Sequence, residues 1–247
     1  PEAKIILGSS YLPRTTASWL NVCLDAGIAG LVDVIAWHPF YDADPGGDAY
    51  RAYPEAVTKF KQHAREMGFR GQFMATEILW SAPYPGTLKT RHTELQKAKN
   101  MARCFLMHLH LEVSPFWCEA WQTYAVTMTP LDNPSCAWDV GLLRNGFSGS
   151  PEDPVTVQPA YYVLRTLCTV MENAVPAAVE VDLGSAAGRI EHYAFRRGGD
   201  EVLVALFLSG ESSDRCPGLR TDVVLHGAGA QVIGVVDTLN GTEQQVE

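Results

Sequence analysis

The stretch GQFMATEILW, residues 71–80, decides the fold of this protein. It is a short apolar run, typical of a strand that is buried on both faces, and it ends with Thr76, Glu77 and Trp80. Three comparable runs flank it, namely KIILG at 4–8, VDVIAWHPFY at 32–41 and SPFWCEAW at 114–121. Segments with helical spacing follow the runs, and such alternation predicts parallel βαβ units. We therefore expect an α/β region built on a parallel sheet.

The helical segments have apolar residues at the spacing of an amphipathic helix. They cover residues 15–32, 49–66, 92–111 and 160–174. In the second, Pro54 lies near the start and Gly68 marks the end. In the first, the spacing predicts that four residues face the core, namely Trp19, Val22, Cys23 and Leu24.

The pattern changes after Pro176, where short apolar runs are separated by Gly, Ser and Asp and helical spacing is absent. This pattern predicts an antiparallel, β-sandwich-like module at 176–247. Five strands are few for an independent sandwich, so we expect the module to be incomplete or to borrow a strand. The α/β region then occupies residues 1–175, with a long rim loop at 122–157. Its alternation fits an open doubly wound sheet as well as part of a barrel.

Composition and charge exclude several classes of protein. The chain has 247 residues, 19 Lys and Arg against 28 Asp and Glu, and a formal net charge of −9. This acidic balance argues against nucleic acid and against an anionic membrane surface as partners. Its 47% hydrophobic residues are enough for a packed core. The six cysteines form no CxxC motif, which favours free thiols, although a single disulfide fits the sequence as well.

Residues with reactive or hydrogen-bonding side chains lie at the carboxyl ends of the predicted strands. Parallel α/β folds bind their ligands at these ends. Glu77 ends one buried strand. Desolvating a carboxylate there is unfavourable, so such a residue normally has an ion-pair partner or a role in binding or catalysis. His38 ends the preceding strand, close to Tyr41. Strand alternation predicts that Phe73 and Ala75 point to the same side as Glu77.

Aromatic residues near these strand ends suit a sugar ligand. A pyranose presents apolar C–H faces to a flat ring, while its hydroxyl groups bind polar side chains. Trp80 and Trp121 are the candidates for stacking, and Trp117 is a core residue by preference. Each could equally belong to the hydrophobic core.

Together these motifs resemble the second half of a retaining glycoside hydrolase barrel. The relevant clan carries its acid/base and its nucleophile as glutamates on strands four and seven. The matching stretches are DAGIAGLVDVIAWHPFY (25–41) for strand six, FMATEILW (73–80) for strand seven, CEAW (118–121) for the end of strand eight, and GLLRNGF with VQPAYYVLRTL (141–147 and 157–167) for the passage into helix eight. The resemblance implies the C-terminal half of a (β/α)8 TIM barrel, strands five to eight, followed by the small β-sandwich that often accompanies such barrels.

The resemblance also implies roles for individual residues. Glu77 would be the nucleophile, His38 would lie beside the substrate hydroxyls, and Trp121 would form the floor of a sugar subsite. The family usually has a tyrosine two residues after this histidine, but Phe40 occupies that position here. Either Tyr41 is rotated into the site by a local bulge, or Tyr84 from the loop after the nucleophile supplies the hydroxyl.

A retaining glycosidase needs a second carboxyl group as acid/base, which the family places after an asparagine. No Asn-Glu dipeptide occurs in this sequence, and Glu119 is interpreted as structural. The resemblance therefore places the acid/base outside this chain, on a missing N-terminal barrel half in the same polypeptide or in a second chain. Two alternatives remain open: a non-catalytic carbohydrate-binding half barrel, and an unrelated α/β enzyme.

No cofactor or metal site is expected. His108 and His110 are separated by one residue, a spacing that puts them on different faces of a helix. The sequence also lacks the GxGxxG, P-loop and GxSxG motifs. The two outer strands of a half barrel would have open edges, so an isolated chain is expected to dimerise or to bind its missing half.

Overall fold

The computed structural model describes residues 3–11, 19–39, 43–80, 92–117, 120–122, 141–144, 152, 154–199, 201–227, 229 and 233–246. It is a mixed α/β structure with one parallel sheet and several antiparallel or mixed sheets. The predicted α/β class and the parallel sheet are confirmed. The closure of this sheet as half of a barrel stays a prediction, as does the division into two domains at residue 175.

Four parallel strands form the main sheet in the order β1-β2-β3-β4. They are β1 (Ile6–Tyr11), β2 (Val34–His38), β3 (Gln72–Ile78) and β4 (Ser114–Trp117). These are the four apolar runs of the sequence, and each pairs with the next run along the chain. This order agrees with the tendency of consecutive strands to lie side by side in a sheet.

The last part of β3 departs from regular pairing. Ala75 pairs with Pro115 and Ile78 pairs with Trp117, so β3 holds one more residue than β4 between the two pairs. This extra residue is a β-bulge, which interrupts the alternation of side chains along the strand.

The described residues form five α-helices between and after these strands. They are α1 (Trp19–Asp25), α2 (Asp48–Arg51), α3 (Tyr53–Glu66), α4 (Glu94–His110) and α5 (Pro159–Val170). Gly68 follows α3 with a φ of +92°, a conformation that suits glycine after a helix end. Thr93 begins α4 with a capping box, in which its hydroxyl accepts from the Gln96 N–H.

The predicted inner face of the first helix is right for Leu24 and wrong for Trp19 and Val22. Leu20 and Leu24 are fully buried, whereas Trp19 and Val22 are 44% and 62% exposed. The helix ends at Asp25 and continues only as a short 3-10 turn at Ile28–Gly30, so the apolar spacing over 15–32 does not belong to one continuous helix. The buried face of this short helix carries Leu20 and Leu24, four residues apart.

The core between the sheet and its helices is aromatic. Trp37 of β2 packs edge-on against Phe60 of α3 at 5.7 Å between ring centroids. Phe73 of β3 contacts both Phe60 and Phe69. Edge-to-face contacts of this kind add about 0.5–1.5 kcal/mol each beyond the burial of apolar area. This packing fixes β2 and β3, whose ends carry the candidate site.

The predicted rim loop at 122–157 is irregular only in part. Its described residues contribute to a small three-stranded sheet of β5 (Trp121–Gln122), β6 (Leu143–Arg144) and β7 (Thr156–Val157). β5 pairs in parallel with β6, and β6 pairs antiparallel with β7.

Strands dominate the described residues after α5. They are β8 (Val175–Pro176), β9 (Glu180–Asp182), β10 (Ile190–Arg197), β11 (Glu201–Leu208), β12 (Val224–His226), β13 (Ile233–Val236) and β14 (Glu243–Val246). All their pairings are antiparallel, and the only helical element described there is a 3-10 turn at Gly184–Ala186. We call residues 175–246 the C-terminal β region.

This β region packs mainly on α4, and α5 makes a smaller contribution. The ring of His110 in α4 lies 5.0 Å from that of Tyr193 and 5.9 Å from that of Phe195. Arg197 reaches the end of α5, where it donates to the Val170 carbonyl at 2.6 Å.

The longest described helix is α4, which has 17 residues and contains several charged side chains. The described residues include no helix suited to crossing a membrane.

Candidate active site

Glu77 and His38 meet at the carboxyl ends of β3 and β2. His38 Nδ1 lies 3.0 Å from Glu77 Oε2, and the two side chains are 20% and 38% exposed. Because parallel strands end at one edge of a sheet, residues from different strands converge there. A partly exposed carboxylate beside an imidazole can act as a nucleophile or as a general base on a ligand that arrives from solvent.

The β-bulge in β3 explains how Glu77 reaches His38. Phe73 packs against Phe60 of α3, so Phe73 faces the helices. Strict alternation would place Ala75 and Glu77 on that same face. The extra residue after Ala75 interrupts the alternation and brings the carboxylate to His38. The expectation that Phe73, Ala75 and Glu77 share one face is therefore wrong.

A buried polar chain supports the strand that carries His38. Trp37 Nε1 donates to the hydroxyl of Tyr53 at 2.9 Å, and that oxygen lies 2.7 Å from His108 Nε2. His108 Nδ1 lies 2.7 Å from the Cys104 carbonyl, which can only accept. The proton therefore sits on Nδ1, and the Tyr53 hydroxyl donates to Nε2. Burial lowers the pKa of His108 to about 4, opposed by its hydrogen bond to Cys104, so the ring is neutral at pH 7.

Trp80 lies in the core in this structure. Its side chain is fully buried, its Nε1 donates to the Ala43 carbonyl at 2.9 Å, and its ring lies 6.2 Å from that of Trp117. It connects the chain beyond Glu77 to the loop that follows β2. Substrate stacking by Trp80 stays a prediction, and the contacts described are those of a packing residue.

The other predicted site residues are described only in part. Trp121 begins β5 and its backbone pairs with Leu143, but its side chain lies outside the described part of the structure. Tyr41, Tyr84 and Glu119 lie outside the described residues. Their predicted roles stay predictions.

A buried charge cluster near the start of α4 was not predicted from the sequence. Lys97 is fully buried and its Nζ donates to the Gly141 carbonyl at 2.6 Å, while Arg144 pairs with Glu94. These contacts hold β6 against α4, next to Ala120, whose carbonyl accepts from the backbone of β6. A lysine at helical spacing normally indicates an exposed position, so no sequence signal identified it.

The described residues contain no group of three or more His, Cys, Asp or Glu side chains arranged to hold a metal ion. Four cysteines among the described residues, Cys23, Cys104, Cys168 and Cys216, are free thiols.

Comparisons with known proteins find similar solved structures but no related sequence family. No family model and no curated protein matches the chain. One similar solved structure is a family 39 glycoside hydrolase from the gut symbiont Bacteroides cellulosilyticus WH2, with a TM-score of 0.52 and 20% identity over 78% of this chain. Another is the catalytic domain of the family 30 xylanase C from Talaromyces cellulolyticus, with a TM-score of 0.46 and 12% identity over 82% of this chain and 38% of that one. This chain spans 37% of the family 39 enzyme, and over its own matched residues it shares the fold of part of a glycoside hydrolase.

Proposed function

We propose that this chain forms part of a glycoside hydrolase that cleaves β-glycosidic bonds with retention of configuration, with Glu77 as the nucleophile. The observation that supports this most is the pair of Glu77 and His38 at adjacent strand ends, 3.0 Å apart and open to solvent. The fold likeness to a family 39 glycoside hydrolase over 78% of this chain agrees with it. In this proposal the four parallel strands are strands five to eight of a (β/α)8 barrel.

The proposed reaction takes place in two steps. The ionised carboxylate of Glu77 attacks the anomeric carbon while the leaving group takes a proton from an acid, and a covalent glycosyl-enzyme forms. Water then attacks the same carbon, the acid residue accepts the water proton, and Glu77 leaves as a carboxylate. His38 holds the carboxylate in place from the neighbouring strand. Two inversions give net retention.

The acid/base in this proposal comes from a segment outside this chain. Retaining enzymes keep the two carboxyl groups about 5–5.5 Å apart. No Asn-Glu dipeptide occurs among the 247 residues, and the family 39 enzyme is much longer than this chain. Upstream βα units, in the same polypeptide or in a second chain, would provide the acid/base and the rest of the substrate surface.

We further propose that the substrate is a carbohydrate that stacks on Trp121. A tyrosine hydroxyl, from Tyr41 or Tyr84, would donate to Glu77 and favour its charged form. The runner-up function is a carbohydrate-binding half barrel without catalysis. It differs by predicting sugar binding without turnover, even when the upstream segment is present.

The test is Glu77→Ala in a protein that includes the upstream βα units, assayed on a panel of aryl β-glycosides. We expect near-complete loss of turnover, and partial recovery with added azide or formate, which occupies the vacated space and gives the inverted product. Glu119→Ala is the matched control, and the anions should not restore its activity in this way.

Two outcomes contradict the proposal. If Glu77→Ala keeps turnover within about tenfold of the parent, a barrier change of only about 1.4 kcal/mol, Glu77 is not the nucleophile. If the parent protein binds sugars but hydrolyses none of the panel, the binding function is favoured.

A further inference from the structure

A short turn connects the candidate active site to the C-terminal β region. We call residues 43–47 the Asp44 turn. Asp44 is only 8% exposed, and its Oδ2 accepts from the backbone N–H of Ser212 and from the Ser212 hydroxyl, each at 2.6 Å. The hydroxyl oxygen also lies 2.7 Å from Asn100 Oδ1, but its single proton goes to the Asp44 carboxylate, which can only accept. Its Oδ1 accepts from the Gly46 N–H at 2.8 Å. A buried carboxylate is costly to desolvate, so these donors are needed to keep it in place.

A second set of contacts closes the same junction. Arg103 of α4 is 8% exposed, donates to the Gly210 carbonyl and to Glu191 at 2.5 Å each, and lies 3.9 Å from Asp44 Oδ1. The backbones of Gly46 and Gly210 are so close that a Cβ at Gly46 would lie 1.9 Å from the Gly210 oxygen. The junction therefore has little freedom to adjust.

The Asp44 turn also contacts the end of the nucleophile strand. Trp80 follows Glu77 by three residues, and its Nε1 donates to the Ala43 carbonyl at 2.9 Å. The turn itself follows His38 by five residues. One turn is thus attached to the chain beyond both Glu77 and His38.

From this arrangement we propose that Ser212 is a positioning residue for the candidate active site. Ser212, in the C-terminal β region, holds the Asp44 turn in place. The Asp44 turn then holds the ends of β2 and β3. The catalytic part of this inference rests on the proposed function; the mechanical part, that Ser212 orders the Asp44 turn, does not. The β region is then a structural component of the site, although it lies far from Glu77 in sequence.

The test compares three variants of the chain. Ser212→Ala removes the hydroxyl that donates to Asp44, and Ser212→Thr keeps a hydroxyl there. Ser213→Ala is the matched control, because Ser213 is exposed and its hydroxyl accepts from the backbone N–H of Arg215 at 3.2 Å.

Two measurements report on the turn without any assay of activity. Amide hydrogen exchange of Gly46, whose N–H donates to Asp44, should speed up at least about tenfold in Ser212→Ala. The indole N–H resonance of Trp80, bonded to Ala43, should shift. That of Trp37, bonded to Tyr53, should stay in place and serves as the internal control. Ser212→Thr should restore both signals, and Ser213→Ala should change neither.

The activity measurement uses the same variants in the longer protein with its upstream units. We expect Ser212→Ala to lower kcat about tenfold with a smaller change in KM, because the contact between His38 and Glu77 is loosened. Ser212→Thr should recover most of the loss. If Gly46 exchange and the Trp80 resonance in Ser212→Ala match those of Ser213→Ala, the positioning role is refuted. If they respond but kcat does not, Ser212 orders the turn without positioning the site, which also refutes the proposal. If the parent protein has no glycosidase activity, the proposed function fails, and the exchange and resonance data still decide whether Ser212 orders the turn.

Discussion

Lowering the pH from 7.5 to 5 should destabilise this fold by about 2 kcal/mol through His108 alone. The ring is fully buried, accepts the Tyr53 hydroxyl proton at Nε2 and donates from Nδ1 to Cys104. Protonation would put a second N–H opposite the Tyr53 hydroxyl, which already receives the Trp37 indole N–H. The Tyr53 proton would then have to turn away from the ring that accepts it in the neutral state.

The magnitude follows from the two pKa values. The pKa of His108 is about 4 in the folded state, against 6.5 for an unperturbed histidine, and the unfolded chain therefore binds the proton more tightly. The full stability is present above pH 6.5 and falls as the pH drops towards 4. A difference of about 2.5 between the pKa values corresponds to about 3 kcal/mol once the folded ring is also protonated, of which about 2 kcal/mol is lost by pH 5.

The assay is urea unfolding at pH 7.5, 6.5 and 5.0 for the parent and for His108→Gln. The variant will be less stable at every pH, so only the change of its unfolding free energy with pH is compared. Burial also lowers the pKa of His110, but His110 is present in both proteins and its effect cancels. We expect the parent to lose about 2 kcal/mol more than the variant between pH 7.5 and 5.0.

Parallel pH dependence in the two proteins would refute this reasoning. A direct check that does not depend on the variant is the proton NMR titration of the His108 ring in the native chain. An imidazole that becomes protonated near pH 6.5 while the fold is intact would show that the buried network does not hold the neutral form.

Two further substitutions test the packing of the fold. Gly46→Ala should destabilise the chain by about 1–3 kcal/mol in urea unfolding, because its Cβ would lie 1.9 Å from the Gly210 oxygen. Gly188→Ala, with open space around the added Cβ, is the control, and equal losses in both variants would contradict the close contact. Thr93→Ala should cost about 1 kcal/mol by removing the cap of α4, whereas Thr58→Ala, inside α3, should change the unfolding free energy by less than about 0.5 kcal/mol. If Thr93→Ala also changed the unfolding free energy by less than about 0.5 kcal/mol, the cap would contribute little to stability.

The four buried parallel strands and the placement of His38 and Glu77 at strand ends could be predicted from the sequence. Both depend on local signals, since apolar runs mark buried strands and parallel strands end at a common edge. The orientation of Glu77 relative to Phe73 could not be predicted in this way. Period-two alternation assumes a regular strand, and the bulge before Ile78 adds a residue that no pattern marks.

Longer-range features escaped the sequence for a different reason. Asp44 and Ser212 are 168 residues apart, and each lies in a stretch that only indicates a turn. The indole of Trp80 is of a type that stacks on sugars, yet it is buried against Trp117. Aromatic side chains suit both a binding surface and a core, so tertiary packing decides between them.

The buried junction of Asp44 and Arg103 also bears on how the chain folds. Their partners Ser212, Gly210 and Glu191 all lie after residue 190, beyond the point at which the composition changes. If the chain were cut after α5, a carboxylate and a guanidinium would lose their partners and meet water or each other. Breaking a buried charged contact by removing one side is strongly destabilising. We therefore expect the regions on either side of residue 175 to stabilise each other and to unfold together, which a single transition in urea unfolding would show.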